Sequence, residues 1–191
     1  MELQRLGVKI FLQDSSQIDL RNMVPVFHSW IQNKVVEDHL LVDVHNYSHV
    51  HRGPGILLVA HEGNFSIDLG DDRMGFLYCR KQPLEGPLRN RLKTIIGTTL
   101  KGVRLLESES RLKGIKFKTD ELLLVANDRL KAPNIEATFL QLEPELTGFF
   151  SQLLDDEDVT LARQEDSRER FAVRVSAGHA QDTQALLDRL G

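Results

Sequence analysis

Acidic, imidazole and phenol side chains recur at alternate positions in Asp43-Val44-His45-Asn46-Tyr47-Ser48-His49-Val50-His51. Side chains two apart on a β-strand share a face, so an extended chain lines up Asp43, His45, Tyr47, His49 and His51 in one row. Same-face Cα atoms lie about 6.5–7 Å apart, close enough for two imidazoles to share a metal ion. A divalent metal held by His45, His49 and His51 is therefore one expectation. A four-residue turn, Arg52-Gly53-Pro54-Gly55, pairs His51 with Ile56 and sets His45 opposite Glu62, Asp43 opposite Asn64 and Asn46 opposite His61. One residue more or less in that turn flips the faces and breaks these pairs. In this register Asp43, His45, Glu62 and Asn64 converge. A carboxylate beside an imidazole fixes its tautomer and raises its basicity, which acid–base catalysis by His45 and Glu62 would need. The plainer alternative makes His45 and Glu62 a satisfied polar pair and leaves His49 and His51 exposed beside the turn.

A second candidate is the loop Asn127-Asp128-Arg129-Leu130-Lys131-Ala132-Pro133-Asn134. It leads from an apolar strand into a helix, whose free N–H groups favour anions, and Arg129 and Lys131 stand just before them. The loop has no glycine, so it is neither a P-loop nor a dinucleotide fingerprint. Its alternative is an ordinary capped loop with Asp128 and Arg129 paired. From Arg80 to Lys118 there are eleven Lys or Arg against Glu85, Glu107 and Glu109, a surplus of eight in a chain of net charge −4. No stacking aromatics interleave with these cations, so the segment reads as a solvated helix face before a partner surface, with nucleic acid last. Cys79, between Tyr78 and Arg80, reads as a small buried apolar residue. The acidic run Asp155-Asp156-Glu157-Asp158 matches no EF-hand loop and reads as solvated.

These residues must be positioned by a mixed set of elements. Val8–Gln13 alternates as a half-buried strand. Asp19 is placed to cap a helix reaching about Val35, with Pro25 fitting only if the helix begins nearer Met23. Leu40–Val50, Ile56–Leu69 and Met74–Lys81 then read as an antiparallel meander, followed by a long helix from Leu88 to about Glu107. The second half predicts a strand at Glu121–Asn127 and an Asn134-capped helix over Ile135–Leu154 that Pro144 or Gly148 could interrupt. Paired strands at Val159–Gln164 and Arg170–Ala177 and a helix at Asp182–Leu190 complete it. Residues 1–112 thus form a β-α-β-β-β-α half and residues 113–191 a β-α-β-β-α half, packed as a single domain. The order allows a β-α-β-β pseudo-duplication, although short α+β chains share such orders by chance. The expected fold class is α+β: an antiparallel meander sheet with helices packed on one side.

The chain has 191 residues, 41 % apolar and 27 % charged, the balance of a globular protein that needs neither metal nor disulfide to fold. One cysteine, an N-terminal stretch with charges inside its apolar run, and no apolar run approaching about 18 residues predict a cytoplasmic protein without a membrane span. The acidic balance argues against general nucleic-acid binding. With no specific catalytic motif, the leading expectation is a non-catalytic module that binds a small polar or anionic ligand, or a second copy of itself as a homodimer. Ligand contacts are expected from Asp43, His61, Asn64, Asn127, Arg129 and Asn134. The alternative is a metal-dependent or acid–base enzyme using the His/Asp/Glu face of the first hairpin.

Overall fold

The computed structural model describes residues 3–16 and 18–191. Met1, Glu2 and Gln17, which belong to the start of the first half and to the loop before the first helix, lie outside the described residues. The elements run β1 (Leu6–Leu12), α1 (Met23–Asn33), β2 (Leu41–Tyr47), β3 (Gly55–Ala60), β4 (Gly63–Asp68), β5 (Gly75–Arg80), α2 (Leu88–Glu107), β6 (Phe117–Ala126), α3 (Glu136–Leu154), β7 (Thr160–Arg163), β8 (Phe171–Ser176) and α4 (Thr183–Leu190). The strands form one eight-stranded antiparallel sheet in the order β2-β3-β4-β5-β1-β6-β8-β7, with the helices on one side, the α+β arrangement expected. In each half the first strand pairs with the last: β1 with β5, and β6 with β8. The two first strands pair with each other at the centre.

Local chemistry accounts for most boundaries. Asp19 accepts the Arg21 N–H and caps a short 3-10 turn, and α1 then begins at Met23. Pro25 falls in its first turn, where a missing N–H costs nothing. In α2, Leu88, Leu92, Ile95, Ile96, Thr99, Val103 and Leu106 follow the 3.6-residue period and are buried against the sheet. Asp182 caps α4 through the N–H groups of Gln184 and Ala185. α3 runs unbroken through Pro144 and Gly148.

Three expectations need correction. The segment read as one strand, Ile56–Leu69, is two strands folded at His61 and Glu62. The β2–β3 connection spans residues 48–54 instead of a four-residue turn, so His49 and His51 sit in the loop. That longer connection resets the register: His45 faces Leu57, Asp43 faces Val59 and Asn46 faces Ile56. Thirdly, Asn134 does not cap α3. Its amide nitrogen donates to the carbonyls of Gln164 (3.0 Å) and Asp166 (2.9 Å), while its oxygen accepts from Arg163 at 3.1 Å. Asn134 therefore ties the β7–β8 connection to the loop before α3.

The helix-covered face of the sheet holds the main core, from Leu6, Val8, Ile10 and Leu12 of β1 to Val173 and Val175 of β8. The opposite face is not simply solvated. All seven residues of β1 are buried, and Phe11, Leu123, Val125 and Ala172 form a second apolar cluster there. At one end of this face Arg73 grips Glu121 with two N–H groups, at 2.5 and 2.8 Å, and Arg174 reaches the same carboxylate at 2.5 Å. The Arg73 guanidinium lies 3.9 Å from the centre of the Phe11 ring and roofs it.

The Arg73 hydrogen bonds, reinforced by Arg174 and opposed by burial, hold the Glu121 carboxyl down at about 2. Its folded value is below the ordinary 4.5, so its stabilisation is complete above pH 4.5 and is lost as the pH falls toward 2. Solvent at the pair screens part of the interaction, leaving about 2 kcal/mol. Glu121→Gln should lower the urea midpoint at pH 7 and flatten its decline between pH 4.5 and 2. An equal deficit at pH 3 and pH 7 would show that another group controls acid unfolding.

Candidate functional site

The helix-free face carries a groove of about 870 Å³. Its floor follows from the strand registers, since directly paired residues share a face. One row crosses the sheet as Leu57, Ser66, Leu77, Lys9, Leu123 and Arg174. The next row runs Val59, Asn64, Cys79, Gly7, Val125 and Ala172. Gly7 is required by close approach: a Cβ there would lie 2.5 Å from the Cys79 sulfur and 2.8 Å from the Tyr78 carbonyl.

Two connections stand over this floor. The β4–β5 turn at Gly70–Asp72 is held by Asp68, whose carboxylate accepts the Gly70 N–H, and by Lys9, whose ammonium reaches the Gly70 carbonyl at 2.7 Å. The β7–β8 connection is held by Asn134. Gln164 donates to Asp71 at 2.8 Å and joins the two walls. Beneath them Lys9, 1 % exposed, is ion-paired with Asp68 at 2.7 Å. Burial lowers the Lys9 pKa, and Asp68 opposes that shift.

Most groove carboxylates are already engaged. Asp68 holds Lys9, Asp72 holds Arg52, and Asp166 is paired with Arg168. Glu165 and Glu169 stand exposed on the rim. The cations Arg129 and Arg170 have no carboxylate partner among the described residues. Arg170 instead lies in the groove with Cys79, whose thiol burial pushes up to about 11. At that value the sulfur is a neutral thiol near pH 7 and a poor nucleophile. Facing it across the β4–β5 pair is Asn64, whose buried Oδ1 has no hydrogen-bond partner. No known family's sequence profile matches this chain, and no curated protein is similar to it. The chemistry must therefore be read from the site itself.

The groove brings together Asn64, Asn127 and Arg129 from the sequence-derived set, with Asn134 holding its wall from behind. Asp43 and His45 share the helix-free face but stand exposed on the edge strand β2, 3.5 Å apart. His61 is exposed in the β3–β4 turn. Glu62, in the same turn, accepts the Leu40 N–H at 2.8 Å, so His45 and Glu62 are not brought together. The alternating row ends with β2 at Tyr47, whose ring centre lies 6.1 Å from that of His45 and 6.4 Å from that of His49 in the following loop. Among the described residues no three His, Cys, Asp or Glu side chains form a group that could hold a metal.

Lys9, Cys79, Arg170 and Gln164 were missed as site residues. Lys9 looked like the solvent side of an alternating strand, and Cys79 like core. A lysine between Val8 and Ile10, with Gly7 and Phe11 flanking on its own face, was the available signal that this face is not fully wet. Among the described residues no helix is long and apolar enough to cross a membrane.

Proposed function

We propose that the protein is a cytoplasmic, non-catalytic module whose helix-free groove binds a small anionic ligand. The observation that supports this most is the pair of cations without a carboxylate partner, Arg129 and Arg170, set in one cavity with the amides of Asn64 and Asn127. Guanidinium groups match oxyanions with paired N–H donors, and the amides supply neutral hydrogen bonds that fix orientation. The neutral Cys79 thiol at the floor favours binding over nucleophilic chemistry. The acid–base alternative needs His45 beside Glu62, and the β2–β3 register works against it. The β-α-β-β duplication belongs to the same proposal, supported by the common pairing of first and last strands in the two halves.

Thermal melts with inorganic phosphate and with citrate test this reading. A ligand present at a hundred times its Kd should raise Tm by about 5–10 °C in a chain of this size. Arg170→Gln and Arg129→Gln should each remove most of that shift. If neither anion moves Tm, or if both variants respond like the parent, the groove is not an anion site.

A further inference from the structure

A second cavity, of about 620 Å³, lies on the other side of the sheet, between α2 and the segment from Val35 to His39 that leads into β2. Its α2 wall presents Thr94, Thr98, Lys101 and Leu105, which recur at helical spacing on one face. Val35, Val36, Phe65 and Leu105 make its apolar surface, while Arg80 and His39 bring polar groups to it.

The polar end is ordered by a directional chain of hydrogen bonds. The His39 Nδ1 lies 3.0 Å from the Glu37 carbonyl, which can only accept, so Nδ1 carries the proton. The Nε2 on the other side of the ring lies 2.7 Å from the Tyr78 hydroxyl. The Tyr78 oxygen in turn faces an Arg80 N–H at 3.4 Å. Arg80 also donates to the Gln82 carbonyl at 3.2 Å. Both of its partners are neutral, so its charge has no carboxylate counterpart among the described residues.

The remaining charges around the cavity offset one another, which leaves Arg80 as its unbalanced charge. Arg104 is bonded to the neutral amide of Gln184. Glu107 is taken up by the Phe117 N–H and by Lys116. Lys101 is only 4.0 Å from Glu37, a pair exposed enough to be weak, and Asp38 is exposed at the rim.

We propose that this cavity binds a small amphipathic carboxylic acid, its carboxylate at Arg80 and its apolar body against Val35, Val36, Phe65 and Leu105. The volume is that of an ordinary small-molecule site, and apolar walls with few convergent polar groups are its usual composition. Arg80, the lining cation without a carboxylate beside it among the described residues, holds the carboxylate. The site is separated from the anion groove by the sheet, so the two readings stand or fall separately.

Decanoate is a suitable probe, with decanol as its uncharged counterpart, followed by titration calorimetry. The expected result is saturable decanoate binding that Arg80→Gln weakens about tenfold or more, the loss of one charge-assisted contact, while decanol affinity is unchanged. Thr98→Phe, which fills the cavity from the α2 wall, should abolish binding of both. Arg170→Gln, in the groove, should leave decanoate binding intact. Trp30, the one tryptophan, packs 6.4 Å from Phe65, so decanoate should also shift its emission. Absence of saturable decanoate binding overturns the proposal, as does binding that survives both Arg80→Gln and Thr98→Phe.

Discussion

Replacing Asp68 with alanine should destabilise the protein by about 3–5 kcal/mol, because it strands a buried ammonium without its counter-ion. Lys9 is 1 % exposed and has Asp68 and the Gly70 carbonyl as its hydrogen-bond partners, each at 2.7 Å. The same carboxylate accepts the Gly70 N–H at 3.0 Å, so its loss also loosens the turn over the groove. Two further measurements separate charge from packing. The double replacement Lys9→Met with Asp68→Leu should recover most of the loss, since apolar side chains of similar size tolerate a buried site. Raising the pH to about 10 should shrink the penalty of Asp68→Ala, because burial already lowers the Lys9 pKa from 10.5 and the neutral amine needs no partner. Urea unfolding at pH 7 and pH 10 reads both. A loss below about 1 kcal/mol at pH 7 would mean that Lys9 escapes to solvent, and the groove floor would have to be redrawn.

A loss of similar size is expected from Phe76→Ala, about 3–5 kcal/mol for a fully buried ring. Phe76 stacks on Phe65 at 6.0 Å and meets Trp30 and Phe117 edge-on at 6.2 and 6.4 Å, so its removal opens the centre of the aromatic core. The other side of that ring is where α2 touches the sheet. A Cβ on Gly102 would stand 2.4 Å from the Phe76 ring, so the glycine sets how closely the helix can dock. Gly102→Ala should therefore cost about 1–3 kcal/mol in the parent, despite the helix propensity that alanine adds. In a Phe76→Ala background the same replacement should become neutral or stabilising, since the methyl enters the vacated space. A double-mutant cycle followed by chemical unfolding gives the coupling directly. Additive effects would place Gly102 away from the ring and refute the docking argument.

The helices and most strands were legible because their signals are local. The apolar spacing of α2, the Asp182 cap of α4 and the limit that Pro25 sets on α1 each depend on residues within a turn or two. Alternation likewise placed Asp43, His45 and Tyr47 on one face of β2. The partners of that face were not legible, because register depends on the length of the connection, and residues 48–54 offer several turns. The fold at His61 and Glu62 was hidden for a related reason: the strands it joins are both apolar and read as one run.

The groove marks the same division more sharply. By itself the sequence determined an α+β chain, its element order, and the side of each strand on which a residue falls. Period-two alternation says which residues share a side but not what covers it. Lys9 therefore reads as solvent-facing, whereas Cys79 reads as buried, which its thiol is, but with no sign of the groove above it. Only the tertiary structure decided that connections from residues 69–74 and 164–170 stand over the helix-free face, because their meeting at Asp71 and Gln164 joins positions far apart in the chain. Desolvation by those walls is what pairs Lys9 with Asp68, raises the Cys79 thiol and leaves Arg129 and Arg170 beside an open cavity. Such effects belong to distances in space, and no local pattern of residues encodes them.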